Sequence, residues 1–224
     1  MSNMINQAIQ ESLIAGLEAG GVNDEKIVAR LVEIFSADLP FLGKVANFDQ
    51  FVDSNSELEF FREVFFDLLI LNFFSEDTEN LKEDYFESEE WEEVEEKTLD
   101  RGTELLNILL YISECRDENI EPELSDFLKE FLLTDESEFQ DEHSIYEVVI
   151  ANQLLMESDF REIAKVAENI EEEDELASIF YGLMSFFLIP KPDQKDKENF
   201  KASAPDQPFD NVVYEILATY LKAL

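Results

Sequence analysis

At 224 residues, with 54 acidic against 16 basic side chains and a formal net charge of −38, the chain has room for one large domain or two small ones, and it carries a field that repels nucleic acid, anionic lipid and acidic substrates. One histidine and one cysteine leave little for His- or Cys-based catalysis or for a metal site, and the clustered Lys and Arg that nucleic-acid binding needs are missing. Apolar residues at 45%, 20 of them Phe, supply a core and set the chain apart from acidic disordered sequences, which are poor in aromatics.

Helical periodicity runs through the chain. Residues 3–19 place Ile5, Ile9, Leu13 and Leu17 on one stripe, and Gly20-Gly21 ends it. Asn23 or Asp24 caps a second helix that reaches Phe35, with Ile27, Leu31 and Ile34 inward. Pro40 and Gly43 interrupt the pattern, leaving a short helix over 41–52 weakly marked.

Residues 57–74 form the strongest helical signal. Leu58, Phe61, Phe65, Leu68 and Leu69 share one face, and Phe60, Val64 and Leu71 fill another. A helix apolar on several sides belongs at the centre of a helical domain. Its most apolar window, Val64–Phe74, is eleven residues long and contains Asp67 and Asn72. A membrane span needs ~20 apolar residues, so the window reads as core. Residues 76–86 read as a short helix or a loop.

Ser88, followed by acids where the helix dipole favours them, starts the next element. The stripe Trp91, Val94, Thr98, Leu105, Leu109 and Ile112 permits one helix of more than 25 residues, from 88 to about 115, with Gly102 inside it as a place for close packing or a bend. Pro122 opens another helix with Leu124, Phe127 and Leu128 on its face. Further helices begin at Asp135–Glu138, after Ser158 as cap, and at Glu172–Glu175, the last running to Leu188. Residues 189–208 hold four of the six prolines and balance four acids with four lysines, the composition of a surface loop. A final helix, 209–222, carries Val212, Val213, Ile216, Leu217 and Tyr220.

The fold expected is all-α: a single domain of nine or ten helices in an irregular bundle or helical array. Its core centres on 57–74 and the apolar part of 88–115. Residues 1–188 make up the main domain, 189–208 the loop, and 209–224 a helix that packs back. No β-pattern of useful length occurs.

The charge is concentrated in the middle. Residues 51–100 hold 18 acids and 3 bases, whereas residues 189–224 hold 6 and 5. The block 76–96 has 12 acids and only Lys82 as a base. On a helix, Glu89, Glu92, Glu93 and Glu96 share one face at i, i+3, i+4 and i+7. Like charges at that spacing cost a few tenths of a kcal/mol per pair, a cost that water or a docked basic partner relieves. Either a solvated face or a docking surface accounts for them. Tyr85 lies in the same block, and Trp91 falls on the apolar stripe.

Motifs for chemistry fail one by one. No acidic segment carries the mid-loop Gly of an EF-hand, and neither GxxxxGK[ST] nor GxGxxG occurs. His143 and Glu147 stand at i and i+4, yet there is no second His and no HExxH. Cys115 continues the apolar stripe, which favours inert packing over a dyad with His143. These readings assign no catalytic residue, no metal and no cofactor.

A single cysteine cannot close an internal disulfide, and the opening MSNMINQAIQESL lacks the pattern of a secretory signal, so a reducing, cytoplasmic setting is expected. The functional expectation is a non-enzymatic protein–protein interaction module meeting a basic protein surface. It has no direct nucleic-acid binding and no membrane span, and a homodimer is open to it. A DNA mimic that regulates a DNA-binding protein is the first alternative. A carboxylate- or metal-dependent enzyme in a helical bundle is the second.

Overall fold

A computed structural model describes residues 2–76, 88–98, 101–132, 136–171 and 173–224; for residues 2–3, 76, 90, 130–132 and 136–143 it describes the backbone alone. Among the described residues the fold is all-α, with no strand. The helices are α1 (Ser2–Ala19), α2 (Glu25–Phe35), α3 (Phe41–Asp53), α4 (Arg62–Glu76), α5 (Glu89–Thr98) and α6 (Leu105–Glu118). They are followed by α7 (Leu124–Leu132), α8 (Glu136–Ala151), α9 (Phe160–Ala167), α10 (Phe180–Leu188), α11 (Gln194–Ser203) and α12 (Gln207–Ala223). Two 3-10 turns, Glu59–Phe61 and Gln153–Glu157, precede α4 and α9. The described residues thus hold twelve α-helices where the sequence predicted nine or ten.

The buried apolar side chains form one connected core, from Ala8 on α1 to Tyr220 on α12. Helix α12 lies along α1 and also packs on α10 and α6, while α4 packs on α1 and α6. The core is therefore wider than an arrangement centred on 57–74 and 88–115. Its most enclosed helix is α10, in which every residue from Phe180 to Phe187 is buried. The crossing of α10 over α12 is close: a Cβ on Gly182 would meet Val213 Cγ1 at 2.6 Å. A glycine there lets the two backbones approach.

Four expectations are corrected by local chemistry. The helix foreseen over 88–115 is two helices, because Gly102 takes φ +83°, a left-handed conformation that ends regular structure. The helix foreseen from Glu172 begins at Phe180, after turns in which Asp174 Oδ1 accepts the Leu176 N–H at 2.9 Å. Helix α9 is capped by Asp159 rather than Ser158, its carboxylate accepting from Arg161 N and Glu162 N.

The stretch 189–208, expected as loop, contains α11. Asp193 and Asp196 form a reciprocal capping box, with Asp196 N donating to Asp193 at 2.8 Å and Asp193 N to Asp196 at 3.0 Å. The bond from the Asp196 amide leads in holding the Asp193 carboxyl below its usual range. The helix delivers Phe200 into the core, stacked between Tyr181 at 4.8 Å and Tyr214 at 4.2 Å between centroids.

Candidate functional site

Helix α5 starts as its sequence dictates: Ser88 Oγ accepts the Trp91 N–H at 3.1 Å. Val94 is buried and Trp91 half-buried, its ring 6.4 Å from that of Phe74 at the end of α4. Trp91, Val94 and Thr98 make the inner stripe at i, i+3 and i+7. The outer side is almost wholly acid. Glu89, Glu92, Glu93 and Glu96 are all exposed, as is Glu95. Lys97 bonds Glu93 at 2.6 Å, with both side chains more than half exposed, an arrangement worth little in stability. The block's remainder, residues 77–87 with Tyr85, lies outside the described residues.

After α5 the chain turns through an elbow, 101–104, that is pinned on every side. Arg101 makes a two-point pair with Asp49, Nη1 to Oδ2 at 3.0 Å and Nη2 to Oδ1 at 2.9 Å, and its guanidinium lies 3.7 Å over the Phe66 ring. The Gly102 N–H donates to Glu63 at 2.7 Å. Thr103 gives Asp67 two bonds, its N–H to Oδ1 at 2.9 Å and its hydroxyl to Oδ2 at 2.6 Å. Burial pushes the Asp67 carboxyl well above the usual carboxylate range, against those two bonds, which favour the charged form. Thr103 Oγ1 in turn accepts from Leu105 N at 3.1 Å and so starts α6.

Asp49 is shared with Arg62, which also holds Glu59 at 2.7 Å and Asp53. The hydrogen bond that Arg62 donates to Glu59 is foremost in keeping this guanidinium charged, against its partial burial. The pairing fixes the 3-10 turn ahead of α4, and the turn has a consequence. Phe60 leaves α-helical register and is 54% exposed where the sequence placed it on an inner face. It rests edge-on against Phe61 and Phe209, with centroids 5.4 Å away in each case.

Turn and elbow together line a cleft of about 750 Å³, with Glu59, Phe60, Glu63, Arg101, Glu104 and Glu175 among its walls. Most of its carboxylates already have work. Glu59 holds Arg62, Glu63 takes the Gly102 amide, and Glu104 accepts from Tyr146 Oη at 2.6 Å and Asn107 at 2.7 Å. Glu175 is exposed and has no hydrogen-bond partner among the described residues.

The remaining candidates fall elsewhere. Cys115 is buried on α6, and burial raises its thiol above the usual value, the state of a packed thiol rather than a nucleophile. The side chain of His143, on α8, lies outside the described residues, and with it any contact to Glu147 or Cys115. Among the described residues no group of three His, Cys, Asp or Glu is placed to hold a metal, and no helix is long and apolar enough to cross a membrane.

Sequence reasoning allowed a bend at Gly102 but ran the apolar stripe on through it, and so did not mark the elbow as a break between two helices. The signal was present: Gly102 followed by Thr103, two residues ahead of the run from Leu105, is a stop and then a cap. Comparison with protein-family models, with curated proteins and with solved structures gave no match.

Proposed function

We propose that this chain is a non-enzymatic interaction module that docks a basic protein partner through the outer face of α5. The observation that carries the reading is the exposure of Glu89, Glu92, Glu93 and Glu96 on one side of a helix held to the body by Trp91 and Val94. A partner's Lys and Arg side chains relieve the repulsion among these carboxylates, and the field of a −38 chain speeds their approach. A second copy presents the same charge, so through this face a partner of opposite sign is favoured over a homodimer.

The commitment of Glu59, Glu63 and Glu104 to neighbouring groups favours binding over carboxylate catalysis in the cleft. A cytoplasmic setting fits the single cysteine, buried as a thiol.

The test uses the parent chain and a variant with Glu89, Glu92, Glu93 and Glu96 all changed to Gln. Both capture partners from native lysate at low and moderate salt, and the captured protein is then titrated purified. The reading expects a basic protein that the parent holds and the variant loses, with a flatter salt dependence for the variant. An unchanged complex sinks it. Competition by duplex DNA for that protein would identify the narrower, DNA-mimic form.

A further inference from the structure

We infer that the cleft beside the 101–104 elbow receives an arginine side chain from the basic partner, stacked on the Phe60 ring and paired with Glu175. The inference rests on the reading of the chain as a docking module for a basic protein, and it adds a second point of contact apart from α5. Phe60 is the first ground. The residue is 54% exposed, yet its ring is braced by Phe61 and Phe209 at 5.4 Å, so it offers a fixed flat surface rather than a loose side chain.

Charge is the second ground. The cleft wall carries Glu59, Glu63, Glu104 and Glu175 against Arg101 alone, and Arg101 is turned to Asp49. Of these carboxylates Glu175 is exposed and has no bond among the described residues. The wall cannot collapse to fill the space, because the elbow is held by Glu63 at Gly102 and by Asp67 at Thr103.

An occupant must therefore bring a positive charge and a flat face. Guanidinium has both: it stacks on an aromatic ring and presents a fork to a carboxylate, whereas an ammonium is a compact, strongly hydrated point. The protein uses the same combination internally, where Arg101 lies on Phe66 and pairs with Asp49.

The probe is the blocked peptide acetyl-GRGRGS-amide, with its lysine and citrulline counterparts, titrated into the full chain and followed by backbone amide NMR. The arginine peptide is expected to move the amides of Phe60, Gly102, Ser178 and Phe209. The lysine peptide should bind about threefold more weakly, and the citrulline peptide should leave these amides still. Phe60→Ala and Glu175→Gln should each weaken arginine-peptide binding by about two- to fivefold, the second without touching any packed group.

The variant with four Gln on α5 should keep the cleft shifts, which separates this inference from the α5 reading. Shifts confined to α5 would overturn the cleft while leaving the α5 surface standing. So would equal binding of the citrulline peptide, or parent-like binding by both cleft variants.

Discussion

Helices α5 and α10 are nearly equal in length and opposite in everything else. Helix α10, FYGLMSFFL, buries eight consecutive residues and carries no charge. Helix α5, EEWEEVEEKT, buries Val94 and exposes Glu89, Glu92, Glu93, Glu95 and Glu96. The first packs on α9, α12 and the 3-10 turn Gln153–Glu157. The second is held to α4 through Trp91 on Phe74. The difference teaches that stability and charge are assigned to different parts of the chain. The core outweighs the self-repulsion of −38, while the described acids of α5 stay in water, where the proposed partner would meet them.

The sharpest way to break that division is to cut each helix and compare. Phe186→Ala on α10 removes a fully buried ring and is expected to cost about 3–5 kcal/mol in urea unfolding. Glu92→Ala on α5 should change stability by less than about 0.5 kcal/mol. A comparable loss at Glu92 would mean that α5 holds the fold together.

A pH scan sharpens the comparison next, because two acids among the described residues, Asp67 at the elbow and Asp210, do lie buried. Asp210, at the start of α12, is buried, and burial pushes its carboxyl up to about 7, opposed by the Asp206 N–H bond at 2.9 Å. Its folded value exceeds its unfolded one, so the folded state binds the proton more tightly. The stabilisation is full below about pH 4 and is lost as pH rises through 7. Asp210→Asn does not titrate. Its stability relative to the parent should therefore rise by about 2–3 kcal/mol between pH 5 and pH 8, read from paired urea curves. A difference that is flat with pH would place Asp210 in water, like the acids of α5.

A third substitution tests the joint that follows α5. Gly102→Ala puts a Cβ at 2.4 Å from Asp67 Oδ1 on a backbone at φ +83° and should cost about 1–3 kcal/mol. Gly21→Ala is the control, at φ +81° with open space around it, and should cost about 1 kcal/mol. Equal losses would show that backbone strain alone matters and that the Asp67 contact does not.

The smallest effect is expected where the charge is densest. Changing Glu89, Glu92, Glu93 and Glu96 to Gln removes like-charge neighbours and one exposed pair with Lys97. Its unfolding free energy should stay level or rise slightly, by a few tenths of a kcal/mol per relieved pair, read as a level or slightly higher thermal midpoint.

The all-α fold was legible in the sequence because apolar spacing of three and four persists across nearly every helix. The inner stripe of α5 and the outward turn of its acids followed from the same arithmetic. Three features escaped it. Phe60 was assigned inward because helical spacing was extended into a 3-10 turn, which Arg62 fixes through Asp49, Asp53 and Glu59. Residue spacing alone does not show which turn a distant ion pair imposes.

The cleft brings together 59–63, 101–104, 175–178 and 209, pieces far apart in the chain, so no local pattern foreshadows it. Helix α11 was hidden by the prolines and lysines around it, and its capping box uses Asp where Glu is the familiar partner. In each case long-range or capping contacts overrode a reading built on local spacing or composition.

The central claim is that the acidic face of α5 stands apart from the fold and serves a basic partner. Its most direct test is the affinity of the purified partner for the parent and the four-Gln variant across a salt series. The account predicts that parent affinity falls steeply with salt, while the variant binds more weakly with a shallower slope. Superimposable curves for the two proteins would contradict it.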